Sequence, residues 1–474
     1  MNRRILFLVD HKHRDLPSLT LIGCHLERIG FEPRWVAVGT EAEVVAEFDP
    51  TFIVLPKPIY NYERLLRWKM ERRRLVIIET EGNPQDLAYE LRIRVPPDLY
   101  LFWNDAMADL YRPQLESAGT TTAVVGFGRS DFLHPRLDAV FPSREALLSG
   151  YGLDPSRRTL TVATSSQDAH FSQERVRDKR RRRSRSFART AEYLDIVANM
   201  RQLRDTTVEL VRGVVNRYPD LNVALKPHPH ENTVFWADFI QELDRPNVTL
   251  IVGEPINHLL RVSDLHLAYN VCTTTVEALL AGVPVVELHT ERSASLYGER
   301  HLALPTYQIR NVDTLAAVLE AEVAGEPARL HQSAANVAKL HDYVRTCFHA
   351  FDGRRCEAYA RVFADWAGSL GVPGGGWSYL GRHPRQGLLY AGVRGMAVVR
   401  RAARSRQREL IAKVNAPRPD EDRSVRRING VVVDEEFGLF DNRMKPGDEQ
   451  VWIDRYRRAG LLDAVETTPD PTGA

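Results

Sequence analysis

Two polar turns, each placed directly after a short apolar run, constrain this sequence most. Lys226-Pro-His-Pro-His-Glu231 follows the run at 223–225, and Asn270-Val-Cys-Thr-Thr-Thr-Val-Glu277 follows Leu265-His-Leu-Ala-Tyr269. Short apolar runs bounded by turn residues are typical of buried strands. A helix from Val276 to Ala281 and a strand at 283–288 are expected after the second turn. Parallel strands bring such turns to one sheet edge, where ligands bind.

The first third of the chain alternates apolar runs with helical segments. A helix is expected from Ser18 to Arg28, with Asp15 as its N-cap and Pro17 in its first turn. Strands that alternate with helices form parallel sheets from βαβ units. We therefore predict a Rossmann-like domain over residues 1–140, with strands near 5–9, 36–38, 52–55, 75–78, 99–102 and 121–125.

A second domain of the same kind is predicted over residues 150–365. It begins with a strand at 159–163, contains both polar turns, and closes with helices at 314–324 and about 328–363. The fold class is therefore α/β, with two doubly wound parallel sheets. Pro373-Gly-Gly-Gly376 breaks this pattern, and residues 373–474 form a charged C-terminal extension to which the sequence assigns no role.

Composition narrows the compartment and the partners. The hydrophobic content of 43% suits conventional cores, and the net charge of +2 does not favour a nucleic acid as partner. The 4 cysteines are scattered without CxxC or metal-binding spacing, which indicates a reducing compartment and no disulfide scaffold. We expect no bound metal and no cofactor. Since no run of about 18 apolar residues occurs, we expect a cytoplasmic protein, with attachment to the inner face of the membrane as the alternative.

Two basic segments are candidates for contact with a membrane surface. The run at 175–189 is centred on Lys179-Arg-Arg-Arg-Arg-Ser-Arg185, and a basic amphipathic helix is expected at 388–414. Acidic lipid headgroups attract such segments. The first could instead be a solvated loop or a loop that binds anions over the cleft, and the second a helix packed on the second domain.

The first polar turn carries residue types that suit a phosphate. Lys226 and His228 are held by flanking prolines, of which Pro229 is one, and they suit a leaving group on which negative charge develops. The plainer alternative is a turn whose histidines form local hydrogen bonds.

The second polar turn offers hydroxyl groups at the start of a helix. Thr273, Thr274 and Thr275 stand where helix N-terminal N–H groups bind anions, although a plain N-cap needs only one of them. Glu277, in the first turn of that helix, could accept a hydrogen bond from a ribose hydroxyl or could complement the helix dipole.

The first domain supplies candidates for the opposite wall of a cleft. Glu79-Thr-Glu-Gly82 ends a central strand, and a carboxylate there is a candidate general base, with a strand-end carboxylate of no special role as the alternative. Polar side chains after the first strand could line the same cleft on the acceptor side. The acceptor-side candidates are Glu79, His11, His13, Arg14 and Asp15.

These motifs resemble the surface-carbohydrate biosynthesis proteins of bacteria, which look like GT-B glycosyltransferases. Related families are the capsule Kdo transferases, the bacterial sialyltransferases and the CDP-glycerol glycerophosphotransferases. The resemblance covers residues 4–365, and it rests on Arg14-Asp-Leu16, Glu79-Thr-Glu-Gly82, Gly126-Phe-Gly-Arg-Ser-Asp131, Lys226-Pro-His-Pro229 and Thr273-Thr-Thr-Val-Glu-Ala278 with Gly282-Val-Pro284.

The resemblance implies a GT-B fold and specific roles. Glu81 would be the catalytic base, His228 with Pro229 would contact the nucleotide, and Thr274 with Thr275 would grip its phosphate. Two positions depart from the family patterns. Thr80 stands where the family usually has a second acid, and Tyr269 stands eight positions before Glu277, where a retaining enzyme would have a glutamate. The second departure weakens a retaining enzyme that uses a UDP- or GDP-hexose, and it leaves a CMP- or CDP-activated donor ahead.

The expected function is therefore metal-independent transfer of a sugar from a nucleotide-sugar donor to a glycan or lipid-linked acceptor of a bacterial surface. Transfer of a polyol phosphate from a CDP-polyol is the alternative within enzymes. A non-catalytic protein that binds glycans or nucleotides through the same fold is the alternative outside them.

Overall fold

The first domain is built on a six-stranded parallel sheet with helices on both faces. The computed structural model describes residues 2–56, 62–79, 95–172, 174, 176, 190–269, 272–293, 304–323, 334–370, 425–429, 431–434 and 443–462. The strands are β1 (Arg4–Val9), β2 (Glu32–Ala37), β3 (Phe52–Leu55), β4 (Arg74–Ile78), β5 (Leu99–Phe102) and β6 (Thr121–Val124), in the order β2-β1-β3-β4-β5-β6. The helices are α1 (Lys12–Arg28), α2 (Glu41–Phe48), α3 (Tyr62–Met70) and α4 (Asp105–Ser117).

Strand β1 shows why this sheet is buried on both faces. Ile5, Phe7 and Val9 enter one hydrophobic core, and Leu6 and Leu8 enter another on the opposite side of the sheet. Because side chains alternate along a strand, a continuous apolar run fills both cores at once. The apolar runs of the sequence therefore correspond to the strands of a sheet covered by helices.

The second domain repeats this architecture. Its six parallel strands are β7 (Thr159–Ala163), β8 (Asn222–Lys226), β9 (Val248–Leu250), β10 (Leu265–Tyr269), β11 (Val285–Leu288) and β12 (Tyr307–Ile309), in the order β12-β11-β10-β7-β8-β9. The helices are α5 (Arg144–Gly150), α6 (Thr190–Arg217), α7 (Thr233–Leu243), α8 (Ile256–Val262), α9 (Thr273–Leu280), α10 (Val312–Val323) and α11 (Ala334–Phe348). The predicted fold class, two doubly wound parallel sheets, is confirmed.

The chain then returns to the first domain. Helix α12 (Arg355–Ser369) packs on α1, and Tyr359, Phe363 and Trp366 are buried in the first-domain core. Asp131 fixes the start of α12, since its carboxylate accepts hydrogen bonds from the backbone N–H groups of Arg355 at 2.8 Å and Cys356 at 2.7 Å. The motif 126–131 thus anchors the returning helix.

The described part of the C-terminal extension packs on both domains. A hairpin of β13 (Val425–Ile428) and β14 (Val431–Asp434) adds Ile428 and Val433 to the second-domain core. Helix α13 (Asp448–Arg458) buries Trp452 and Tyr456 in the first-domain core. The domain boundaries drawn from the sequence stay a prediction.

Three expected helix boundaries are wrong. Helix α1 begins at Lys12 rather than Ser18, because His11 is the N-cap and its Nδ1 accepts from the backbone N–H of Arg14. Helix α9 begins at Thr273 rather than Val276, which places all three threonines in its first turn. The single helix expected at 328–363 is interrupted between α11 and α12, where Gly353 has a φ of +68°.

Among the described residues, no helix is long and apolar enough to span a bilayer. The basic segments at 175–189 and 388–414 lie outside the described residues, apart from Val176. Their predicted contact with a membrane surface stays a prediction.

Candidate active site in the cleft

The carboxyl-terminal edges of the two sheets face each other. Arg129, after the last strand of the first domain, pairs with Glu277 of α9 in the second, with 3.9 Å between Nη2 and Oε1. His13 of α1 lies against the turn after β9, where a Cβ on Gly253 would be 3.7 Å from its Nε2. The polar turns predicted from the sequence therefore share one cleft, and candidates from both domains line it.

The first-domain side of the cleft is organised by Asp15. Its buried carboxylate accepts from the backbone N–H of His11 at 3.0 Å and from Arg14 Nε at 2.6 Å. Arg14 Nη2 also lies 3.4 Å from Asp10 Oδ2. Charge-assisted bonds of this kind fix a guanidinium in place. Asp15 therefore holds Arg14 beside the cleft rather than facing a substrate itself.

His11 is a buried neutral imidazole. Burial lowers the pKa of His11 to about 2, and the positive charges of Arg14, His13, Lys226 and His228 lower it further. Since Nδ1 accepts from the Arg14 N–H, the proton of the neutral ring is on Nε2. Within the described residues Nε2 is buried without a hydrogen-bond partner. This N–H can donate to a ligand oxygen.

His13 is also held neutral. Burial lowers the pKa of His13 to about 4, with Lys226 and Lys12 acting in the same direction and Glu254 and Asp448 opposing them. Two neutral imidazoles, with ring centroids 6.0 Å apart, therefore face the lysine of the other domain.

Lys226 ends β8, and its ammonium donates to the backbone oxygen of Glu254 at 2.6 Å. Burial lowers the pKa of Lys226 to about 8, while the negative charge of Glu254 opposes the shift. A buried ammonium can be stabilised further by an anionic ligand in the cleft. This residue is placed as the sequence predicted, at the sheet edge that faces the first domain.

The prolines around His228 set its orientation. His228 Nδ1 accepts from the backbone N–H of His230 at 3.2 Å, so the neutral ring carries its proton on Nε2. His228 and Pro229 are half-buried, whereas His230 is exposed. The charge of His228 lowers the pKa of His11, which places the two histidines on facing walls of the cleft.

Glu231, at the end of the same turn, is a structural anchor for which no role is predicted from the sequence. Its buried carboxylate accepts from Thr164 Oγ1 at 2.6 Å, Ser166 Oγ at 2.9 Å and Trp236 Nε1 at 2.7 Å, and also from the Ser166 backbone. Thr164 and Ser166 follow β7, the central strand of the sheet. Glu231 therefore ties the loop after β7 to the turn that carries Lys226 and His228.

The three threonines of α9 have different surroundings. Thr275 is buried, and its hydroxyl donates to Glu287 Oε1 at 3.0 Å inside the domain. Thr274 Oγ1 lies 2.7 Å from the sulfur of Cys272, the N-cap. Thr273 and Thr274 are half-buried at the helix start, so they are better placed than Thr275 to meet an anion.

Glu277 belongs to the ion pair across the cleft. Burial raises the pKa of Glu277, and the charges of Arg129 and Arg14 oppose that rise. The guanidinium of Arg129 also lies 4.8 Å from the centre of the Phe127 ring. Glu277 therefore joins helix α9 to the first domain.

The structure describes only one of the two glutamates in the motif Glu79-Thr-Glu-Gly82. Glu79 is buried, and its negative charge acts on Tyr100, whose pKa is raised first by burial and then by Glu79. Its described surroundings are thus tyrosines of the first domain rather than the histidines of the cleft. Glu81, the predicted base, lies outside the described residues, and its role stays a prediction.

Comparisons with known proteins identify the fold. No family model matches this sequence, and no curated protein matches it. Among solved structures, the wall teichoic acid polymerase TagF aligns with a TM-score of 0.53 at 11% identity, covering 78% of this chain and 91% of the polymerase chain. A TagF variant soaked with CDPG aligns with a TM-score of 0.51 at 12% identity, covering 78% and 90%.

The chain has the GT-B fold.

The GT-B topology explains why the candidates meet. In the second sheet the strand order reverses between β7 and β10, and doubly wound sheets bind ligands at that point, beyond the carboxyl ends of the strands. Thr164 and Ser166 follow β7, and α9 follows β10 closely. The anchored loop and the threonine helix therefore flank the expected ligand crevice of this domain.

The cleft contains both cations and neutral hydrogen-bond donors. Lys226 and Arg14 supply positive charge, and His11 supplies a buried N–H group without a hydrogen-bond partner among the described residues. Such groups stabilise a phosphate whose negative charge grows as a bond to it breaks. Within the described residues, no group of three or more His, Cys, Asp and Glu side chains is arranged to hold a metal ion.

Sequence reasoning missed several residues of this cleft. Arg129 lies inside the motif 126–131, yet nothing in the sequence indicates that it pairs with Glu277. Glu254 is in a loop after an edge strand, and its contact with Lys226 depends on how that loop turns. Glu231 could have been suspected, because an acid five positions before Trp236 at the start of a helix is well placed to accept from the indole.

Proposed function

We propose that this protein is a glycosyltransferase that moves a sugar from a nucleotide-activated donor to a glycan or lipid-linked acceptor of a bacterial surface. One observation carries the proposal: Lys226 and His228 at the edge of one sheet face His11, His13 and Arg14 at the edge of the other. A cleft between two such edges suits a two-substrate transfer.

The second domain would hold the donor. Lys226 and His228 would contact the phosphate, with Thr273 and Thr274 at the N-terminus of α9 as further ligands. The bond between the anomeric carbon and the phosphate oxygen breaks, and the electron pair stays on the leaving nucleotide. These protein groups would neutralise that charge, so we propose that the transfer needs no metal ion. The resemblance favours CMP or CDP as the nucleotide.

The first domain would hold the acceptor. His11 would donate through Nε2 to an acceptor or phosphate oxygen, and Arg14 would supply a fixed positive charge. Glu81 would remove the proton of the acceptor hydroxyl as it attacks the anomeric carbon. In this proposal the acceptor belongs to the cell envelope, and the enzyme is cytoplasmic, with attachment to the inner face of the membrane as the alternative.

The test is a panel of CMP-, CDP-, UDP- and GDP-activated sugars, with nucleotide release followed by chromatography. His228→Ala should weaken binding of the active nucleotide about tenfold, while His230→Ala on the same turn, where the side chain is exposed, should not. Glu81→Gln should abolish turnover and keep nucleotide affinity. An active Glu81→Gln enzyme would remove the base assignment, and unchanged affinity in His228→Ala would move the donor site elsewhere.

The second candidate is transfer of a polyol phosphate from a CDP-polyol. It is favoured by the fold shared with the teichoic acid polymerase TagF, one structure of which was obtained after a soak with CDPG. In that reaction the bond between the two phosphates of the donor breaks, and CMP leaves. Product analysis separates the two reactions, because only the second adds phosphorus to the acceptor. Nucleotide binding without turnover on any acceptor would support a non-catalytic binding protein.

A further inference from the structure

The C-terminal extension reaches the donor side of the cleft from both of its described parts. In the hairpin, the Asn429 side chain donates to the backbone oxygen of Leu250, and Val431 lies against Gly253, where an added Cβ would be 3.0 Å from its Cγ2. Helix α13 is anchored in the first domain, where the Tyr456 hydroxyl donates to the Pro17 oxygen at 2.7 Å. The turn after β9 is therefore enclosed by the extension.

A chain of hydrogen bonds runs from α13 to Lys226. Arg455 Nη1 lies 3.2 Å from His258 Nε2, and His258 Nδ1 lies 2.7 Å from Glu254 Oε2. A guanidinium only donates, so Nε2 accepts, and the proton on Nδ1 is donated to Glu254. The backbone oxygen of Glu254 in turn accepts from the Lys226 ammonium. Arg455, in the extension, thus fixes the residue that holds Lys226.

We propose that the C-terminal extension positions Lys226 for donor binding by clamping the turn at Gly253 and Glu254. Arg455 and His258 are positioning residues, since they act through Glu254 rather than by touching the donor. The proposal rests on the proposed function of Lys226 as a phosphate ligand.

The geometry of the turn makes the clamp necessary. Gly253 has a φ of +80°, a conformation that few other residues adopt, and it sits between His13 of the first domain and Val431 of the hairpin. Glu254 lies directly after it. If the turn shifted, the buried ammonium of Lys226 would lose the Glu254 oxygen. Without that partner the ammonium would favour other side-chain rotamers and would meet a phosphate less well.

A binding experiment in the full-length protein tests the clamp. Arg455→Ala should weaken binding of CDP by about tenfold, measured by titration calorimetry, and Arg455→Lys should recover part of the loss. Arg457→Ala is the matched control, because Arg457 is exposed on the same helix and pairs only with Asp454 at 3.6 Å among the described residues. Unchanged CDP affinity in Arg455→Ala would overturn the proposal.

A second pair of variants covers the case in which Arg455→Ala fails to fold. Arg426 joins the hairpin to α7 through Asp238 and through Gln241 at 3.0 Å, whereas Arg427 next to it is exposed. Arg426→Ala should weaken CDP binding, and Arg427→Ala should leave it unchanged. Equal affinities in this pair would contradict a role of the hairpin in the clamp.

A measurement without nucleotide separates this proposal from the proposed function. Lysines are few in this chain, so protein labelled with ¹³C at lysine Cε gives a simple NMR spectrum, and Lys226→Arg assigns the resonance of Lys226. Arg455→Ala should shift that resonance, and Arg457→Ala should not. If the wild-type protein binds no nucleotide, a shift still supports the clamp while the proposed function fails. An unmoved resonance overturns the clamp.

Discussion

Glu277 Oε1 lies 3.9 Å from Arg129 Nη2, so an acid of the second domain meets a cation of the first across the cleft. Their side chains are only 6% and 14% exposed, and water screens the pair weakly. Arg14 contributes a second positive charge to the same carboxylate. The pair therefore couples helix α9 to the first domain across the cleft.

Removing the cation of this pair should be costly. In Arg129→Met the buried carboxylate of Glu277 loses one of the positive charges that stabilise it. We therefore expect the free energy of unfolding to fall by about 3 kcal/mol. Adding Glu277→Gln to that variant should recover part of the loss, because a neutral amide needs no counter-charge. Urea unfolding measures both. If Glu277→Gln changed the stability of the wild type and of Arg129→Met by the same amount, the two side chains would not interact.

Nucleotide binding should depend on pH through Lys226. Burial lowers the pKa of Lys226 to about 8, against the charge of Glu254, so the ammonium form predominates below that pH. Binding of CDP should be tightest below pH 8 and should weaken by up to about tenfold per pH unit above it. Titration calorimetry from pH 7 to 9.5 measures this. Lys226→Arg, whose guanidinium keeps its charge, should lose the dependence, and the same slope in both proteins would assign it to another group.

We expect Glu231 to stabilise the folded protein rather than to bind a substrate. Glu231→Gln places an amide N–H₂ group among Thr164, Ser166 and Trp236, all of which donate to the native carboxylate. A buried donor that faces other donors loses its hydrogen bonds, and we expect the free energy of unfolding to fall by about 2 to 3 kcal/mol. His230→Ala, one position earlier and exposed, should change it by less than about 0.5 kcal/mol. Thermal or urea unfolding decides between these outcomes.

Buried neutral histidines should weaken the fold in acid. Burial lowers the pKa of His266 to about 3, and burial with neighbouring cations lowers that of His11 to about 2. Their stabilisation is complete above the unfolded pKa of about 6.5. It is lost as the pH falls from there toward 3, by about 1.4 kcal/mol per pH unit for each histidine, because only the unfolded chain takes up the proton.

A single variant isolates one histidine from the acids that titrate in the same range. Urea unfolding between pH 7.5 and 5 should give a smaller loss of stability for His266→Leu than for the wild type. The absolute stability of the variant also falls, since His266 Nδ1 is 2.8 Å from Thr161 Oγ1. Only the slope with pH is therefore compared. Identical slopes would mean that His266 is protonated in the folded protein or that another group dominates.

The sequence predicted the strands better than the helix ends. A run such as Ile5–Val9 fills a core on each face of a sheet, so its burial follows from local composition. The start of α1 was misplaced because the charged residues at 10–15 read as a loop. They form a first turn instead, since His11 caps the helix and Asp15 binds Arg14. A cap made by side-chain geometry is not visible in hydrophobic periodicity.

The candidate site, too, could be predicted only in part from the sequence. Lys226, His228 and the threonines follow strands, and parallel strands bring their carboxyl ends to one edge. Which threonine is exposed was decided by Glu287, a buried acid of β11 that accepts from Thr275. The role of Glu231 was decided by three donors from a loop about 65 residues earlier in the chain and a nearby indole.

The sequence by itself determined the α/β class, the two sheets and the position of polar turns at their carboxyl edges, because strand burial and turn chemistry are local properties. Only the tertiary structure decided what those turns contact. Arg129 meets Glu277, Arg455 reaches Glu254 through His258, and α12 and α13 return to the first domain. These contacts join residues far apart in the chain. They depend on how two domains and an extension pack, which no local pattern of residues encodes.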